Sequence, residues 1–117
     1  MTKQEVLEEG ILLAMDTIKQ QATEQTTKII ADLFKSLVLK KYKDAFDQEL
    51  AQGVVHKKNI DKAVDFCYSD VCVAIRQMSG WSDDAKEHMI QEGKLMRHLI
   101  IEKVEQILIN GGVKIIP

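Results

Sequence analysis

The chain has 117 residues, room for a single domain spanning 1–117, and 45% of them are hydrophobic but only 5% aromatic, so a core of mainly aliphatic side chains is expected and global disorder is excluded. Sixteen basic residues against 18 acidic ones leave a net charge of −2, which excludes nucleic-acid binding by bulk charge. No apolar run approaches the roughly 18 residues that a membrane span needs, so no membrane partner is expected.

The first third of the chain carries an apolar stripe at Leu7, Ile11, Met15, Ile18, Ala22, Thr26, Ile29, Leu33 and Leu37. Its steps of three and four form an eleven-residue repeat, close to the period of a straight α-helix. The stripe predicts one helix of about 35–40 residues, roughly 55–60 Å long. Its weak point is 20–28, a polar stretch with Thr23, Thr26 and Thr27, where a turn capped by Thr23 is the alternative. Continuity is favoured because the stripe keeps its phase across that stretch. Beyond Leu37 the pattern loosens, which predicts a kink or a new packing partner near Lys40.

Gly53, two β-branched residues and charge mark a break at 52–59, with Asn59 as the expected N-cap of the next helix. Ile60, Val64, Cys67, Val71, Ala74 and Met78 then form a helical seam. Phe66 and Val73 lie seven apart on nearly the opposite side, so this helix should meet neighbours on both faces. Ser79–Ser82 reads as a turn holding Trp81. Ser82 should cap a last helix running to about Asn110, with Asp83, Asp84 and Glu87 complementing its dipole. That helix has a main stripe of Ala85, Met89, Gly93, Met96, Ile100, Val104 and Ile107. Over 99–109 it is apolar around most of its circumference, which predicts more complete burial there. Gly111 and Gly112 end it, and the β-prone tail 113–117 is expected to dock or fray.

These elements predict an all-α fold: an antiparallel helical bundle with a long N-terminal helix, elongated and dimeric, since two long half-covered helices are most simply shielded by a second copy.

Chemistry-bearing patterns are sparse. Cys67 and Cys72, five apart on a helix, face in different directions and have no C-x-x-C spacing. They read as two small core residues in a reducing compartment, with Cys72 the more reachable. MTKQEVLEEG shows no basic region leading into an apolar run, so no secretory signal and a cytoplasmic location are expected. His88 lies one helical turn from Asp84 and Glu92, but no Glu-x-x-His pair accompanies it, so it reads as part of a solvated face and no metal is expected. Neither glycine-rich phosphate motif occurs, so no cofactor is expected.

The sequence therefore predicts a small non-enzymatic protein acting through helix–helix contacts as a regulator, adaptor or assembly component. Phe66, Val73 and Trp81 are the candidate interaction residues and a homodimer is the expected assembly, with a further protein partner. The alternative is a dimeric nucleic-acid-binding regulator using the basic patch between Lys35 and Lys62, contacting phosphates through Lys40, Lys41, Lys43, Lys57 and Lys58. A third reading places an enzyme or carrier site between helices, which would show as a pocket with several ionisable groups.

Overall fold

The computed structural model describes the backbone of residues 3–117, and their side chains except those of residues 3, 4, 7 and 38–47. Four helices and two short strands follow in the order α1 (Lys3–Gln21), α2 (Gln25–Gln52), β1 (Val54–His56), α3 (Lys57–Gln77), α4 (Asp83–Asn110) and β2 (Lys114–Ile116). The chain measures 46 × 24 × 21 Å. No helix among the described residues is long and apolar enough to cross a membrane.

The opening residues are not one rod. The helix breaks at 22–24 and α2 folds back along α1. Thr23, Thr26 and Thr27 crowd this point, and β-branched side chains lose χ1 freedom in a helix, so the break falls where the helix gains least. Glu24 occupies the N-cap of α2 without a side-chain capping bond, so Thr23 is not the cap. Two crossed ion pairs mark the antiparallel register: Lys35 Nζ to Asp16 Oδ1 at 2.6 Å and Lys19 Nζ to Asp32 Oδ2 at 2.9 Å. Both are substantially exposed, so they set alignment more than stability. Past the turn, α2 runs without a break through Lys40.

In α1 the predicted stripe holds, with Ile11 and Met15 buried and Ile18 packed against the core. Among the described residues of α2 the buried ones are Ile30, Ala31, Phe34 and Leu50, whereas the predicted Ile29, Leu33 and Leu37 are only partly covered. The packed face is thus rotated from the stripe. The cause is the position of α2, which packs against α1, α3 and α4 and must bury a broad sector rather than a line.

Gly53 ends α2 at φ 76°, a left-handed conformation that suits glycine, and its N–H bonds back to the carbonyls of Glu49 and Leu50. The next three residues form β1, which pairs in parallel with β2 in the register Val54–Lys114, Val55–Ile115 and His56–Ile116. The tail therefore docks, and Val55 and Val113 are buried beneath it. The strands lie where the sequence suggested a break and a β-prone tail, and of the two outcomes open to that tail it is docking that occurs.

Helix α3 begins at Lys57, earlier than Asn59 would have set it, with His56 at the N-cap position. His56 makes no capping bond of its own. The carboxylate of Glu49, at the end of α2, does the work instead. Oε2 accepts the His56 backbone N–H at 2.7 Å and faces His56 Nδ1 at 3.1 Å, while Oε1 accepts from the Asn59 amide. Partial burial pushes this carboxyl up, but the hydrogen bonds from His56 and Asn59 outweigh it and hold the group below its ordinary value.

The α3 seam is buried as expected at Ile60, Val64, Cys67 and Val71. Cys72 is buried too, against the expectation that it would be the reachable cysteine. The Tyr68 ring lies beneath the Arg97 guanidinium (5.4 Å to the centroid), and its hydroxyl donates to the Ile90 carbonyl at 3.1 Å. Burial, and then the neighbouring Cys72, push the Tyr68 hydroxyl above its usual pKa. Ser82 caps α4, its Oγ accepting from the Ala85 N–H at 3.2 Å, and the helix ends at Asn110 as the glycine pair indicated.

Helix α1 packs against α4 in antiparallel sense, Gly10 lying against Ile107 and Val6 close to Gly111. A Cβ on Gly10 would come within 2.8 Å of Ile107 Cγ2, an atom on a stiff β-branched side chain. Gly10→Val should therefore cost about 2 kcal/mol by forcing the helices apart. A denaturant titration checks this, and an unchanged midpoint would show that the seam can yield.

Candidate functional site

The α1–α2 turn and the face of α4 enclose an open cleft of about 570 Å³, whose lining includes Ile18, Ala22, Glu24, His88, Glu92 and Leu95. Both sides of the cleft mix apolar and polar side chains. Glu24 is held at the start of α2 by the break after α1, while His88 and Glu92 lie one turn apart on α4. The Glu92 carboxylate is the hub. Its Oε2 accepts from Thr27 Oγ1 at 2.7 Å, and its Oε1 accepts from Thr26 Oγ1 at 3.2 Å and contacts His88 Nε2. Glu24 Oε2 lies 3.6 Å from His88 Nε2 and 3.5 Å from Thr26 Oγ1. The threonines that weaken the helix at 22–24 thus tie the turn to α4.

Beyond this cleft several large apolar side chains of α1 and α4 are exposed. Leu13 is 70% exposed and Leu95 73% exposed, with Val6, Leu99 and Ile109 also open to solvent. Val6 and Leu13, seven residues apart, share one side of α1. Leu95, Leu99 and Ile109 fall within about 80° of the circumference of α4. Gly10 meets Ile107 where the two helices touch; Leu99 lies about 80° around α4 from Ile107, whereas Ile109, two residues on, faces nearly away from it. Leu99 and Ile109 correct the expectation that 99–109 is the more completely buried end of the last helix. Residues there surround the helix with apolar side chains, yet α1 and α3 cover only part of it.

The residues singled out from sequence do not converge. Phe66 and Val73 are exposed on the outer side of α3, 61% and 49% accessible. Trp81 is half-buried in the turn before α4 and packs against the core. Lys57 and Lys58 are exposed at the start of α3. Lys40, Lys41 and Lys43 lie on α2, and their side chains fall outside the described residues. Lys57 does not stand on a uniformly positive surface. It approaches Glu105 Oε1 at 3.8 Å and shares with Asp61, Asp65, Arg97, His98 and Glu102 a second open cleft, of about 510 Å³, between α3 and α4. Charges of both signs pair within that cleft, Arg97 Nη1 lying 3.0 Å from Asp65 Oδ1.

The sequence reading missed the seam surface and the convergence on Glu92. The i, i+4 spacing of His88 and Glu92 was visible, but the third group, Glu24, is more than sixty residues away, and only the reversal at 22–24 brings it near. Comparison of the chain with protein-family models, with curated proteins and with solved structures finds no match.

Proposed function

We propose that this chain is a non-enzymatic helical-bundle protein that works by helix–helix contact, pairing with a second copy about a two-fold axis through the α1–α4 seam as an assembly or regulatory component. The observation that carries this reading is the exposure of Leu13 and Leu95 on adjoining helices. Large apolar side chains grouped on one face favour burial against a partner, at about 25 cal/mol per Å² removed from water. α1 and α4, roughly 28 and 42 Å long and each about 10 Å wide, together offer on the order of 700 Å² per subunit, close to the share each partner contributes to a standard interface. A self-complementary patch of this kind is what two-fold pairing uses. Phe66 and Val73 offer a smaller apolar pair on α3, suited to a further protein partner.

Light scattering on the purified chain tests the reading. A mass of two chains is expected at high micromolar concentration, and Leu95→Glu should raise the dimer dissociation constant at least tenfold, about 1.4 kcal/mol. Phe66→Glu should leave the mass unchanged. A strict monomer overturns the proposal, and dissociation by Phe66→Glu alone moves the interface to α3.

A further inference from the structure

We infer that Glu24, His88 and Glu92 form a binding site for a divalent transition cation of the zinc class. Their ligand atoms, one imidazole nitrogen and two carboxylate oxygens, all lie within 4.8 Å of one another. Donors about 2.0–2.1 Å from a tetrahedral ion sit roughly 3.3 Å apart, close to the 3.6 Å between His88 Nε2 and Glu24 Oε2. His88 and Glu92 stand at i and i+4 on α4, the spacing by which one helical turn directs two ligands at one ion. Glu24 comes from a separate segment, so the three groups approach from two sides rather than along one strip of helix.

The surroundings suit such an ion. Thr27 Oγ1 donates to Glu92 Oε2 at 2.7 Å, which fixes the carboxylate and leaves Oε1 turned toward His88 and Glu24. Hydrogen bonds of this kind orient ligating carboxylates and sharpen affinity. Two carboxylates beside one imidazole leave excess negative charge that a cation offsets. The mixed nitrogen and oxygen set favours zinc or its neighbours over magnesium or calcium, which take oxygen ligands. The cleft alongside is open, so water completes the coordination. Bound there, the ion clamps the α1–α2 turn to α4 at one end of the seam surface. The site itself stands whether or not the seam pairs two chains.

Calorimetric titration of ZnCl₂ into the chelator-treated full chain is the test. One ion per chain is expected. His88→Ala and Glu92→Gln should each weaken binding at least tenfold, Thr27→Val should weaken it severalfold, and His98→Ala should not. Circular dichroism confirms that each variant keeps its helices, which the surface position of these side chains allows. Co²⁺ added in place of Zn²⁺ should give a visible d–d band without thiolate charge transfer, and His88→Ala should remove that band. Absence of Zn²⁺ binding, binding that survives both His88→Ala and Glu92→Gln, or a Co²⁺ spectrum dominated by thiolate would each overturn the site.

Discussion

Replacing Phe34 by alanine is expected to remove about 3–5 kcal/mol of folding stability. Phe34 is fully buried and heads the largest side chains in the core, on the helix that packs against all three others. Truncation loses the transfer energy of the ring and leaves a cavity that three rigid helices cannot collapse into. Domains of this size are stable by about 5–15 kcal/mol in total, so this one substitution takes a large share. Urea titration should show a lower midpoint with an unchanged slope. Phe34→Leu should recover more than half of the loss. A cost below about 1 kcal/mol for the alanine variant would mean that α2 is not the centre of the core.

Glu49→Gln should destabilise the protein by about 2 kcal/mol at neutral pH, and the difference should vanish in acid. Glu49 receives the His56 backbone N–H and the Asn59 amide and faces the His56 ring, so its charge is spent on joining α2 to the start of α3. Those charge-assisted bonds sit at the positive end of the α3 dipole. Because the folded chain holds this carboxyl below its ordinary value, the unfolded chain binds the proton more tightly. Glu49 therefore contributes its full stabilisation above the ordinary glutamate pKa of about 4.3, and the contribution is lost as pH falls through the lower folded value. Parallel urea titrations of the two proteins from pH 7 down to pH 3 would show the gap closing. A gap that persists unchanged in acid would assign the effect to packing rather than charge.

The elements legible in the sequence are those whose signals are local. Ser82 and the acids after it mark the start of α4, and Gly53 marks the end of α2. The α3 seam reads off as a three–four alternation that survives in the structure from Ile60 to Val71, beyond which Cys72 and Ile75 are buried in place of Ala74. The reversal at 22–24 was misjudged because phase carries little information across a short turn. Ile18 and Ile29 can both face the core whether the helix continues or doubles back, since each half keeps its own periodicity. The strand pair was hidden for a different reason. Val54, Val55 and His56 are too few to show an alternating pattern, and their partners are sixty positions away. The candidate site shared that difficulty. His88 and Glu92 were recognisable as one face of a helix, but Thr26, Thr27 and Glu24 join them only through tertiary reversal. The polarity of 20–28 was the available clue. Within one continuous helix that polarity has no partner to meet, whereas in the structure two of its hydroxyls bond a carboxylate on another helix.

Pairing β1 with β2 carries a kinetic consequence. The two helical hairpins, α1 with α2 and α3 with α4, can each zip from a nearby turn, whereas the strands must close a loop of sixty residues for a handful of backbone bonds. Closing so long a loop before its interior is organised is entropically unfavourable. The strands are therefore expected to join late, the segment from Val113 onward acting as a final fastening on helices that have already found one another.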